Sequence, residues 1–254
     1  MRRLTGPSLA VCKREIYSYF VSPVAYFTIV PFLLLCGFFF YITFNYLSQR
    51  GGSETAATDL MVFAIQTMSV LLTLASPLLT MRSFAEERRA GSMELLATSP
   101  IRERDIVLGK FFASWFLVGA MLLATAPYPL FVQRYGNPDV APILVGYLGL
   151  ALLGGCLLAL GLLISSLSSN QIVAGVSTLG AGLFLWMIQS LPPAAGTATL
   201  YGTLREIAVY MSLQQHLTGF SQGVVAVKSL VYYLSFISVC LYLTTVSSAS
   251  FRWK

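Results

Sequence analysis

Few side chains in this sequence have the types and spacing that chemistry needs. Cys12, Cys36, Cys156 and Cys240 form no C-x-x-C pair for dithiol redox work and no metal-ligand spacing with the lone His216. They read as small apolar residues of an interior. A single imidazole could act as an acid, a base or a ligand, but no clustered histidine or carboxylate accompanies it, so His216 is expected to be a hydrogen-bonded structural residue. Gly109-Lys110 has the form of the end of a phosphate-binding loop, yet Phe111 follows where Ser or Thr would hold magnesium, and Arg104 stands where the first glycine would be. The chain is therefore expected to be no enzyme, to hold no metal and to bind no nucleotide by that motif.

What does stand out is a change in charge density. From Arg82 to Lys110 the sequence RSFAEERRAGSMELLATSPIRERDIVLGK carries eleven of the 26 charged residues, with both signs interleaved. Arg82 to Arg89 can extend a preceding helix, with Gly91 available to end it. Ser92 can cap a short helix containing Met93, Leu95, Leu96 and Ala97, and Ser99-Pro100 reads as the start of another, leading through Arg102 to Lys110. The expected form is helix, short crosswise helix, helix. Apolar Met93, Leu95 and Leu96, rimmed by Glu94, Arg102 and Glu103, suit docking into a groove on a partner protein. The other reading of the same residues is a solvated, salt-bridged loop that only joins its neighbours.

The elements that must position this segment are membrane spans. At 254 residues, 56% hydrophobic and 10% charged, the chain has too little charged surface for a soluble domain of its size. A net charge of +6 could point to nucleic acid, but the basic residues sit at the ends of apolar runs and form no stripe, so no nucleic-acid partner is expected. Six runs are free of ionisable side chains and long enough to cross a bilayer: roughly 24–47, 60–80, 111–132, 141–164, 172–191 and 230–251. If they alternate, 12 Lys and Arg fall on one side and four on the other, which places both termini and residues 82–110 in the cytoplasm. The fold expected is an all-α integral membrane protein forming one transmembrane unit over 1–254.

Residues 1–23 repeat Leu9, Cys12, Ile16 and Tyr19 at helical spacing and are expected to form an amphipathic helix on the inner leaflet, where membrane lipids are its partners. Residues 192–229, apolar but broken by Pro, Gly and Arg205-Glu206, are expected outside the cytoplasm as one or two short helices, partly re-entrant. Pro31, Pro77, Pro127 and Pro129 favour kinks, and Ala151, Gly155 and Ala159 form a small-residue ladder that permits close helix approach. Asn45, Gln66, Thr67, Ser69 and Gln189 could line a pathway for a lipid-like cargo or bond between helices.

Glu86, Glu87, Arg88, Gly91, Glu94, Leu95, Leu96, Pro100, Gly109 and Lys110 together resemble the signature of the permease subunits of type 2 ABC transporters. The stretches Lys13-Arg14-Glu15 to Tyr26 and His216 to Tyr233 are similar to the gliding-motility-type branch, although that branch often has Phe, Arg and Asp at Leu217, Gln222 and Ala226. The resemblance implies a six-span permease half of a bacterial inner-membrane exporter. It implies a second permease copy or paralogue, and a separate ABC ATPase subunit that carries ATP and Mg and docks on Glu86 to Lys110, with the coupling helix around Gly91 to Pro100. An extracytoplasmic or auxiliary membrane subunit is a further expected partner. A mechanical transmitter that moves nothing across the membrane remains the alternative. An ion-coupled transporter is disfavoured, because it would need ionisable groups at membrane depth.

Overall fold

The computed structural model describes residues 6–48, 54–85, 102–135, 138–190 and 199–250. Among them there is no strand, and six helical stretches are long and apolar enough to cross a membrane. The chain is a multi-pass membrane protein. Helix α1 (Gly6–Val21) leads into α2 (Pro23–Ser48), the first span, and α3 (Glu54–Thr80) is the second. The third span is divided into α4 (Glu103–Ala124) and α5 (Pro127–Tyr135). Helices α6 (Val140–Leu167) and α7 (Gln171–Met187), the latter extended by a 3-10 turn at Ile188–Ser190, are the fourth and fifth. Helices α8 (Thr199–Met211) and α9 (Leu213–Ser221) precede the sixth span, α10 (Val227–Ser250).

The helices overrun the apolar runs. The second span begins at Glu54, six residues before its run, and the third at Glu103, because a helix can continue past the hydrocarbon into the interfacial layer where charge is tolerated. Pro31 and Pro77 lie within continuous helices. The break falls before Pro127, and the hydrogen bonds it frees are met locally. The Tyr147 hydroxyl donates to the Thr125 carbonyl at 3.1 Å, and Thr125 Oγ1 donates to the Leu122 carbonyl at 2.7 Å. Tyr128 stacks on Phe40 at 4.8 Å between ring centres, holding α5 against the first span.

Burial sorts the spans into two groups. The second, third and fourth are 61–67% buried, whereas the first, fifth and sixth are 17–22% buried and turn apolar side chains such as Phe27, Val176 and Tyr242 outward. With lipid as solvent that exposure is no penalty, and what organises the centre is close backbone approach. The fourth span is the hub. The small-residue ladder faces neighbours in the same chain: a Cβ at Gly155 would come within 3.0 Å of Ile237 on α10, and Trp115 Nε1 on α4 donates to the Ala151 carbonyl at 3.0 Å. On another face of α6, Gly161 leaves room for Thr80 of the second span.

Candidate functional site

Residues 82–110 are anchored at both ends by contacts that reach two other elements, α1 and α6. At the near end, the second span finishes in a turn over Met81–Phe84, where the backbone N–H groups of Phe84 and Ala85 donate to Ser165 Oγ on α6 at 3.2 and 3.3 Å. Such terminal amides need a partner when buried, and Phe84 and Ala85 are fully buried. Tyr19 of α1 donates its hydroxyl to the Leu79 carbonyl at 3.0 Å, tying α1 to the same turn. At the far end, a Cβ on Gly109 would lie 2.7 Å from Val11 and 3.0 Å from the Ser8 carbonyl, so only glycine lets α1 lie directly on α4. One residue on, Lys110 Nζ donates to Glu15 Oε1 at 3.1 Å and stands 5.4 Å from the centre of the Phe84 ring.

Lys110 and Glu15 expose only 3% and 17% of their side chains, so the ion pair is an interior one. Burial alone would raise the Glu15 carboxyl. The Lys110 ammonium, with hydrogen bonds from Lys110 and Arg14, outweighs it and holds the group below its ordinary value, ionised. The carboxylate also accepts from the exposed Arg14 at 3.1 Å. Arg14, Arg82 and Lys110 with Glu15 surround a cleft of about 420 Å³ between α1 and the end of the second span.

These contacts fix the rotation of α1 about its axis. Val11, Glu15 and Tyr19 meet the bundle, and Leu9 is 66% exposed. The Gly109 groove and the Lys110 charge decide the rotation, neither of which a hydrophobic repeat can register. Of the candidate docking residues, Arg102 is exposed at the start of α4, whereas Gly109 and Lys110 lie beneath α1. Glu86, Glu87, Arg88, Gly91, Ser92, Met93, Glu94, Leu95, Leu96 and Pro100 lie outside the described residues. Glu15 and Ser165 were not singled out by spacing, and Tyr19 only as one member of the apolar repeat in residues 1–23. Glu15 had a signal: it is the lone acidic residue among four basic ones in residues 1–23.

At the opposite end, α9 is set into the helical layer. Leu217 and Phe220 close on Gly149 of α6, where a Cβ would fall 2.9 and 2.7 Å from them, and Ser69 at the middle of α3 donates to Gln214 Oε1 at 3.0 Å. The Tyr233 hydroxyl donates to the Leu213 carbonyl at 2.8 Å. Ser69 therefore bonds between helices, and Thr67 bonds within its own, to the Phe63 carbonyl. His216 is buried and stacks on Tyr232 at 4.1 Å. Its Nε2 is 3.0 Å from the Tyr210 carbonyl, which can only accept, so Nε2 carries the proton and Nδ1 accepts from Ser229 Oγ at 3.1 Å. Burial, aided by nearby Lys228, lowers its proton affinity against the pull of that carbonyl, keeping the ring neutral. Both nitrogens are engaged, as expected of a structural imidazole. The four cysteines are free thiols, and among the described residues no three His, Cys, Asp or Glu side chains gather to hold a metal.

Comparison with known proteins adds two findings. The family model described as "ABC-2 family transporter protein" matches residues 46–212. A protein named "Probable multidrug ABC transporter permease YbhR", from Escherichia coli K12, is 28% identical over 124 residues, which cover 49% of this chain and 32% of that protein. The protein of the same name from Escherichia coli O157:H7 matches identically. The aligned part thus spans about a third of the length of these relatives.

Proposed function

Because this chain belongs to the ABC-2 family of transporter proteins, we propose that it is the permease subunit of an ABC exporter in a bacterial inner membrane, driven by a separate ATPase subunit. The observation that carries the mechanism is the double anchoring of residues 82–110. A displacement of that segment would be felt by the second span at its terminal turn and by the fourth through Ser165. It would reach the third span through Gly109 and Lys110, and α1 through Glu15 and Tyr19. Packed helices joined in this way shift as a body, which is how a local change at a docking segment moves a bundle. Nucleotide can shift the spans only by stabilising one arrangement of the ATPase pair over another. Glu86 to Pro100 would make the contact with the ATPase, while Gly109 and Lys110 position the helix that carries it. A second permease copy would complete the assembly, and the outward apolar faces of the first, fifth and sixth spans leave room for it.

The test replaces Leu95 and Leu96 with Asp. Charge at an apolar anchor of an interface costs about 2 kcal/mol or more, so co-purification with the cognate ATPase should fall at least tenfold while membrane insertion persists. Reconstituted transport should continue with proton and sodium gradients collapsed and stop with vanadate. Full co-purification by the variant together with intact transport would overturn the docking role.

A further inference from the structure

We propose that the cleft between α1 and the ends of the second and third spans is a seat for the phosphate of an anionic phospholipid. This inference goes beyond the transport reading and rests only on the chain being a membrane protein. Arg14, Arg82 and Lys110, contributed by three different elements, face one carboxylate, Glu15, which leaves a net charge of +2 around about 420 Å³. Ser18, Ser22 and Ser83 line the same space and make its wall polar. A zwitterionic headgroup would bring a cation into this field, whereas phosphatidylglycerol would not.

Depth argues for a lipid as the source of the phosphate. Leu78 and Leu79, in the last turn of a span, line the cleft, which therefore sits where headgroups begin. From there Leu78 and, one turn deeper, Leu74 are 42% and 44% exposed on one stripe of α3, an apolar track for an acyl chain leaving the cleft. On the other side α1 turns Tyr17 and Phe20 outward, which suits a helix lying at the same level. A bound lipid would bridge Arg14 on α1 to Arg82 beside the docking segment, so the leaflet's composition would bear on how firmly α1 is held.

The experiment is native mass spectrometry of the full chain purified in detergent and titrated with palmitoyl-oleoyl phosphatidylglycerol or phosphatidylcholine. Wild type should retain phosphatidylglycerol preferentially. The R14Q/R82Q variant should retain it about tenfold less, from loss of two charge-assisted contacts. K13Q, a change at an exposed cation of α1 outside the cleft, should behave as wild type. Arg14 is 61% exposed and Arg82 is exposed, so the double variant should keep the wild-type melting temperature in phosphatidylcholine. Equal retention by wild type and R14Q/R82Q would overturn the site, as would an equal loss in K13Q, which would mean diffuse charge attraction. Displacement of the lipid by millimolar inorganic phosphate would overturn the lipid as ligand in favour of a free anion.

Discussion

The Glu15–Lys110 pair lends itself to a double-mutant cycle. In E15Q the Lys110 ammonium keeps 3% exposure and loses its carboxylate. Removing one partner of a fully buried pair costs about 3–5 kcal/mol, but Glu15 retains 17% exposure and the Phe84 ring still faces the ammonium, so about 2–3 kcal/mol is expected. K110M should cost less, about 1–2 kcal/mol, because the carboxylate left behind reaches water and stays paired with Arg14. In E15Q/K110M no unpaired charge remains, so the double variant should sit close to K110M, a coupling of about 2 kcal/mol. The readout is hydrogen exchange of the α1 amides in detergent or nanodiscs, since loss of the pair frees α1 from α4 before the bundle opens. Each 1.4 kcal/mol appears as a tenfold loss of protection in α1 and little change in α6. Strictly additive single costs, or a loss of protection spread evenly over all spans, would refute the claim that this pair fastens α1.

The pH dependence of the same pair follows from Glu15. Its folded-state affinity for protons is lowered below the ordinary 4.5, so its stabilisation is fully present above that pH and is lost as pH falls through the folded value. Protection of α1 should fall on acidification below about 4.5 in wild type, and the dependence should vanish in E15Q. G149A should lower the melting temperature, since its Cβ would sit within 3 Å of Phe220 and Leu217 at a cost of about 1–3 kcal/mol, whereas G119A, where a Cβ meets nothing within 4 Å, should leave it unchanged. Single cysteines at Gly52 and Thr199, in a chain with the four native cysteines replaced, should react with an impermeant reagent outside intact cells, and one at Ser92 should not. The reverse pattern would invert the topology.

Class and layout were legible because membrane insertion depends on local composition. Six runs without an ionisable side chain need no knowledge of neighbours, and the helices lie where those runs lie. Proline lacks the N–H a helix requires, yet of the four prolines singled out Pro31 and Pro77 lie within continuous helices and the break falls before Pro127, so which one interrupts a span was not local. Which faces meet depended on partners distant in sequence. Apolar spacing put Leu9, Cys12, Ile16 and Tyr19 on one face of α1 without saying which side meets the bundle, and it is the gap at Gly109 and the charge of Lys110, some hundred residues on, that bring Val11 and Glu15 inward. Ser165 looked like any small residue of a span until the turn after the second span brought two amides to its hydroxyl. The Ala151, Gly155 and Ala159 ladder announced a close approach without saying to what, because a small residue records only that space is needed, and only the folded bundle put α10 and Trp115 there.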